Sequence, residues 1–511
     1  METLSLRKRQ VKSWCILGGL LVFFLGMLAV YGVGVYNDSE QYITMHIHRE
    51  PLYPLFLALF RVLFGGEYLT VAAAVQNILT AVSVWVLAEY ITAHFGLRLW
   101  EELLVVLLQL VPHLMTRYVS ALHIFLENSV MSEALCIPLF QFFLYFLLRM
   151  LFEGRKRDIV LSLNIAFLLS LTRGQMMTTI LMWMVLLVLK NILQTCTKRA
   201  YYENLSLKRD KGVSTIAGDI GDASSGGVGR CSGVVRVLFP VFVVMIVFGL
   251  RSLTVHVYNY TVTGYFMGNT YGQVNTLTNV IYACDREDGQ VFEEGSLERE
   301  FFERFYEEAD ALGANYKYGG DTFTERAEHL EESHDALKFQ VLEADLSAYY
   351  FGLGKVDYYQ QSRMSDEMAG RMLKKLLPEC FGQWFYDYIL LCTYGFIRSV
   401  AVVHPVINWI ALLFYVMAAG LAVWQVKTCA SGCSVRFSGN VCAGDDRKHK
   451  YDAAVAMGVA LLFIAANVCA ASMTIMCLSR YMIYGFSFFY TAFFLLVRER
   501  FSLHPGEIMV K

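Results

Sequence analysis

Apolar runs near or above the ~20 residues needed to cross a bilayer recur along this chain, and each must find either a protein interior or lipid around it. The 511 residues are 56% hydrophobic and only 17% charged, too little polar surface to keep a soluble protein of this size dispersed. A backbone in hydrocarbon has to satisfy its own hydrogen bonds, which predicts helices. The expected fold is an all-α polytopic membrane protein with about ten transmembrane helices. It carries an outer-face interfacial helix and one acidic, mainly helical extracytoplasmic insertion.

Charge sets the orientation. Arg7, Lys8, Arg9 and Lys12 precede the apolar run Trp14–Tyr36, which reads as a retained signal anchor with its N-terminus in the cytoplasm. Further spans are expected at 68–93, 100–116, 127–149, 158–172, 175–195, 236–254, 404–426, 452–477 and 481–497. With that alternation the segments assigned inside hold 25 Lys and Arg, and the short outside segments hold 5. Both termini are then cytoplasmic, in a multi-pass protein of the cytoplasmic membrane. Pro51–Gly65 is apolar but covers only roughly 22 Å as a helix, short of the ~30 Å hydrocarbon core, so it is expected to lie along the outer surface.

Three regions follow. Residues 1–254 form an N-terminal transmembrane module with a first outer loop at 37–67. Residues 255–400 form the extracytoplasmic insertion, and 401–511 supply the C-terminal helices. Between Asp285 and Asp345 the insertion holds nineteen Asp/Glu against six Lys/Arg, ordinarily the mark of a solvated surface. Helical apolar spacing appears in Phe301–Leu312 and Leu330–Phe351, and 386–400 reads as a second interfacial helix. Leu205–Gly233, rich in Gly, Ser and charge, reads as a weakly ordered linker. The twelve cysteines include no CxxC pair. Cys284 and Cys380 both lie in the polar segment, where a disulfide is an open alternative to two thiols. Nothing points to nucleic acid.

Polar groups in or beside apolar helices are costly and mark candidate sites. On this topology they gather at the outer ends of the spans: Asp38, Glu40, His46, His48, Arg49 and Glu50 in the first loop; His113, Arg117, His123, Glu127 and Glu133 around the third and fourth spans; Arg173 and Arg480 at later outer turns. A transporter would instead be expected to place such groups at mid-depth, where Asn164 and Gln141 are the sparse examples. Carboxylates mixed with Arg and His at a membrane surface suit transfer from a phosphate-bearing lipid. Asp38 could serve as general base, and Arg173 and Arg480 could hold a leaving phosphate through charge-assisted bonds. Each residue has a plainer reading: a cap or loop residue for Asp38, a solvated pair for His46 and His48, a local ion pair for Arg49 and Glu50, an interface anchor for Arg480 and Tyr481. Glu127 and Glu133 are six residues apart and face different ways on a helix, so only one can meet a shared cavity; Glu133 is the deeper.

The order of first helix, Asn-Asp-Ser-Glu-Gln-Tyr, Pro-Leu-Tyr-Pro surface helix and second span resembles the first extracytoplasmic loop of the GT-C superfamily of integral membrane glycosyltransferases. The likeness is closest to the branch with the aminoarabinose and protein mannosyl transferases. Ser132-Glu133, Leu171-Thr172-Arg173 and Ser479-Arg480-Tyr481 resemble later marks of that family, in the same order. The resemblance implies Asp38 as catalytic carboxylate, with Glu40 and Glu133 sharing or orienting its role, and inversion at the sugar carbon. Where the family often has Asp-Glu, this chain has Asp38-Ser39-Glu40. Tyr42, His48, Arg49, Tyr53, Arg117, Arg173, Arg480 and Tyr481 are the substrate-binding candidates. The implied donor is a polyprenyl-phosphate sugar, and the acceptor a lipid, glycan or protein at the outer face. A divalent metal is compatible with these residues without being required by them. A glycan polymerase or ligase leaning on residues such as Arg398, and a transporter or flippase, are the alternatives.

Overall fold

The computed structural model describes residues 2–119, 123–210, 228–399, 405–431, 444–475, 477 and 479–501. Eighteen α-helices account for most of them, and no strand occurs among the described residues beyond one isolated bridge. The chain opens with α1 (Glu2–Tyr31), the short α2 (Ser39–Ile43), α3 (Leu52–Phe64) and α4 (Tyr68–Phe95). Then follow α5 (Leu99–Tyr118), α6 (Ser132–Glu153), α7 (Lys156–Ser170), α8 (Met177–Asp210) and α9 (Val228–Thr263). The polar segment supplies α10 (Gly272–Ala283), α11 (Leu297–Ala311), α12 (Phe323–Ala336), α13 (Glu343–Gly352), α14 (Tyr358–Glu379) and α15 (Phe381–Ser399). The chain closes with α16 (Pro405–Ser431), α17 (Gly444–Ser472) and α18 (Ser479–Phe501).

Nine stretches among the described residues are long and apolar enough to cross a membrane. The expected ten included 158–172, which is α7. At fifteen residues it spans only ~22 Å, and it packs between α6 and α8. The Pro51–Gly65 segment forms α3, set off from α4 by Gly65 at φ +57°, a backbone conformation open to glycine. Helix covers both ends of the expected linker, since α8 runs to Asp210 and α9 starts at Val228; the remainder of that linker, 211–227, lies outside the described residues.

The surface of the bundle is inverted relative to a soluble protein. Helix α9 exposes Leu238, Phe242, Met245, Ile246, Leu250 and Leu253, and α8 exposes Leu181, Val185 and Leu189 at helical spacing. Such a continuous apolar face in water would cost ~25 cal/mol per Å². Lipid removes that cost, and the long apolar helices fit a membrane protein. Inside, α4, α6, α17 and α18 share one core in which Phe140 packs on Phe463 at 4.1 Å between ring centres. A second core binds α10 to α15, centred on Phe301, Phe302, Phe305, Leu277 and Met372. Cys284 and Cys380 both lie in it as thiols.

Two backbone pairings tie the loops together. Gly34 donates to the Asn128 carbonyl at 3.0 Å and accepts from Val130 at 2.8 Å, which joins the segment after α1 to the entry of α6. Leu52 at the start of α3 donates to the Leu171 carbonyl at 2.8 Å, which joins the end of the first loop to the turn after α7.

The second core is packed to its limit at Gly289, where a Cβ would stand 2.2 Å from two carbons of the Phe302 ring. Gly289→Ala is expected to cost about 1–3 kcal/mol or more through overpacking. Thermal unfolding with hydrogen exchange across α11 checks this; unchanged protection there would show that the ring moves aside freely.

Candidate functional site

The stitched loops bring four stretches of chain together. Asp38 precedes α2, and its Oδ1 accepts from Nη2 of Arg49 at 2.8 Å. Arg49 also donates from Nε to Gln41 Oε1 at 2.8 Å and from Nη1 to the Tyr42 hydroxyl at 3.3 Å, and its guanidinium sits 4.8 Å from the Tyr42 ring centre. The Tyr42 hydroxyl meets Ser132 Oγ at 2.9 Å. Arg173 donates to that same Oγ at 3.2 Å and pairs with Glu133 Oε1 at 2.6 Å. The result is a continuous chain, Asp38–Arg49–Tyr42–Ser132–Arg173–Glu133, drawn from the first loop, the start of α6 and the turn before α8. The other side of Arg173 faces Tyr481, whose ring centre lies 5.0 Å from the guanidinium carbon. The backbone of Tyr481 is held by Gln175 at 3.1 Å and Asn467 at 2.9 Å.

A cleft of about 520 Å³ opens beside this chain. Tyr42, Arg49, Glu50 and Arg173 are on its polar edge, with Glu50 taken up by Arg251, and Met177, Leu181, Ala471 and Ile475 form an apolar wall. Leu181 is also part of the exposed apolar face of α8, so the wall is continuous with the lipid-facing surface. Both arginines at the edge are anchored by a carboxylate, and each guanidinium has more N–H donors than these partners use. The Asp38–Arg49 pair is partly exposed, with side-chain exposures of 32% and 23%, and contributes little stability, about 0–1 kcal/mol. Its effect is orientation. The Arg173–Glu133 pair is more enclosed, at 15% and 2%.

Several sequence expectations change here. Arg49 does not pair with Glu50; Glu50 reaches Arg251 on α9, and burial pushes its carboxyl above the ordinary range. Glu133 serves Arg173, its carboxylate being the partner of that guanidinium. Glu40 is exposed on α2 and lies outside the hydrogen-bonded chain just described. Tyr53 is fully buried; it donates to Gln76 at 2.9 Å and packs edge-on to Tyr42 at 5.1 Å, so it supports the site from beneath. Arg117 lies over the Tyr31 ring at 4.3 Å and donates to the His123 carbonyl at 2.9 Å, apart from the cleft lining. His113, without an assigned partner in the sequence, is buried against Glu127. The side chain of Arg480 lies outside the described residues. Arg398 pairs with Glu331 at 2.6 Å.

His46 and His48 are no solvated pair. Their rings lie 4.4 Å apart, and His48 stacks on Tyr271 at 4.5 Å. Its Nδ1 meets Thr270 Oγ1 at 3.0 Å and its Nε2 meets the Tyr358 hydroxyl at 3.0 Å. Burial, then the nearby His46 and Arg49, push its pKa down to about 3, so the ring is neutral. Among the described residues no three His, Cys, Asp or Glu are grouped as metal ligands.

The polar segment therefore takes part in the site, although its acidic composition marks it as a solvated surface. Lys338, 7% exposed, sits 3.9 Å over the Tyr271 ring. Burial lowers its pKa to about 8 against the pull of Glu343, and the charges of Arg49 and Asp38 are close enough to act on it. It lies on a π-helical turn, Leu337–Leu342, between α12 and α13, an irregularity frequent at functional sites. Tyr271 has a left-handed backbone, φ +93°, rare for a bulky residue, and Asp366 holds it by accepting from its N–H at 3.0 Å. A lone lysine in an acidic run gave no sequence signal for this.

Comparison with protein-family models, with curated proteins and with solved structures finds no match for this chain. The functional reading therefore stands on the geometry of the cleft.

Two outcomes are expected. Glu133→Gln leaves the Arg173 charge enclosed without its partner and should cost about 3–5 kcal/mol, much of it restored in the double variant Glu133→Gln/Arg173→Gln. Melting temperatures of the two would decide it, and equal losses would disprove the pair. For His48, the unfolded chain takes up a proton near pH 6.5 that the folded site refuses until about 3, so stability falls as pH drops through that window. The slope of melting temperature against pH should be shallower in His48→Gln.

Proposed function

We propose that this protein is a membrane glycosyltransferase of GT-C type, moving a sugar from a polyprenyl-phosphate donor to an acceptor at the outer face of the cytoplasmic membrane. The observation that carries this reading is the pair of carboxylate-anchored arginines, Arg49 and Arg173, on the rim of a cleft whose opposite wall runs into the lipid-facing surface. A polyprenyl phosphate has that split chemistry: an apolar tail for Met177, Leu181 and Ile475, and an anionic head for two guanidinium groups.

In the proposed step an acceptor O–H or N–H gives its proton to Asp38 as the acceptor atom attacks the anomeric carbon. The bond from that carbon to the phosphate oxygen breaks, and the electron pair leaves with the polyprenyl phosphate. Arg49 and Arg173 offset the charge gathering on the leaving phosphate, where preorganised donors count most. Attack opposite the leaving group gives inversion, as the family resemblance implies. Tyr42 sets the spacing of the two arginines, through its hydroxyl to Arg49 and through Ser132 to Arg173. Tyr481 packs on the far side of Arg173.

A second reading, a carrier-lipid transporter, draws on a different observation. Gln76, Asn77 and Gln109 are buried within the bundle, more polar material than the sparse Asn164 and Gln141 alone would supply. Such a core suits a moving polar cargo as well as a rigid scaffold.

Asp38→Asn is expected to insert and fold like the parent and to lose transfer by about 10²–10⁴-fold, the usual worth of a general base. The measurement is release of polyprenyl phosphate from a radiolabelled lipid-linked sugar in proteoliposomes. Undiminished release in the variant would eliminate Asp38 as base. Movement of labelled carrier across the bilayer without any release would favour the transporter.

A further inference from the structure

A second cleft, of about 280 Å³, adjoins the first, and His48 and Tyr271 line both. Its remaining walls come from the polar segment, with α10, the π-helical turn, α13 and α14 contributing Val274, Phe339, Glu343 and Tyr358 respectively. The volume is near the lower end of ligand-sized clefts, ~300–1,000 Å³.

Its lining selects among ligand chemistries. Tyr271, Phe339 and Tyr358 bring aromatic rings to its walls. Ser347, Ser362 and Ser365 add hydroxyls, and Gln361 adds an amide. The Glu343 carboxylate lies beside the Tyr271 hydroxyl, and its Oε1 is buried without a hydrogen-bond partner among the described residues. An orphaned buried carboxylate oxygen calls for a donor from elsewhere. Among the described residues no arginine lines this cleft, and the neighbouring Lys338 amine lies over the Tyr271 ring. A phosphate would meet Glu343 with no guanidinium to offset the repulsion.

A peptide is no better matched. The walls are helices whose backbone groups are bonded internally, so no sheet edge is offered to an extended strand. A ring bearing hydroxyls on its rim and C–H groups on its faces meets every requirement at once. Its faces lie on the aromatic side chains, and its hydroxyls donate to Glu343 and exchange bonds with the serines and Gln361. The left-handed backbone at Tyr271 fits the same picture. Strain of order 1–3 kcal/mol persists where surrounding structure enforces it, and here it holds one ring between the two clefts, stacked on His48.

We propose that this second cleft is the acceptor site and that its ligand is the non-reducing end of a neutral carbohydrate. The assignment as acceptor rests on the transferase reading above. The assignment as a carbohydrate site does not, because it follows from the lining alone. A glycan seated there would have its end at His48 and Tyr271, on the border of the cleft that holds Arg49 and Arg173.

The test uses the full-length protein in detergent, fluorescently labelled and applied to an array of neutral oligosaccharides, phosphorylated oligosaccharides and Ser/Thr-rich peptides. Retention on a subset of the neutral oligosaccharides is expected. Glu343→Gln and, as a gentler change that keeps the ring, Tyr358→Phe should each weaken it by about tenfold while melting like the parent. Failure of any neutral oligosaccharide to bind, binding indifferent to both variants, or retention on peptides or phosphorylated glycans instead would overturn the assignment. If binding behaves as expected but the parent releases no polyprenyl phosphate, the carbohydrate site stands and the transferase reading falls. Release with no glycan binding leaves the transferase standing and removes the carbohydrate site.

Discussion

The whole candidate site depends on two short backbone pairings, Gly34 with Asn128 and Val130, and Leu52 with Leu171. Side-chain charges cannot assemble themselves at a membrane surface, because each long cation loses entropy when fixed and an exposed pair returns little. Main-chain bonds between loops carry no such penalty per charge. They bring Asp38 and Arg49 alongside Ser132, Glu133 and Arg173, and the polar contacts then only refine what the backbone has placed. Tyr42 is the joint of this arrangement, with Arg49 and Ser132 at its hydroxyl and Tyr53 beneath its ring.

Enclosure then divides labour between the two arginines. Arg173, with Glu133 almost fully covered, is held by electrostatics strong enough that removing either partner is costly. Arg49, more open, is spread over Asp38, Gln41 and Tyr42, so loss of one contact leaves two. The rim thus combines a rigid guanidinium with an adjustable one.

Much of this was legible beforehand. The spans were readable because a helix long enough to cross lipid needs an uninterrupted apolar run, and nearly all of the expected spans became helices with shifted ends. Asp38, Arg49, Glu133 and Arg173 stand out in the sequence because charge beside an apolar helix is expensive, Tyr42 through the family resemblance, and the structure brings the five together. Their pairing was not legible. Nothing in the order Arg49-Glu50 says that the first finds Asp38 and the second finds Arg251, because partner choice is decided by packing far along the chain. Tyr53 looked like a ligand contact and is a buried support. Lys338 and Tyr271 gave no pattern at all: the π-helical turn and the left-handed backbone that aim them have no periodic signature.

The partners of His48 lie far away in sequence, Thr270 at 222 positions and Tyr358 at 310. During synthesis the first loop emerges long before either. The early helices can settle in the bilayer and the arginine rim can form, but the ring that borders both clefts has nothing to stack on until more than half of the chain has been made. Assembly is thus ordered in time: the arginine rim comes first, the polar segment next, and Ala471, Ile475 and Tyr481 complete the cleft last. A truncated or stalled chain would carry the rim alone.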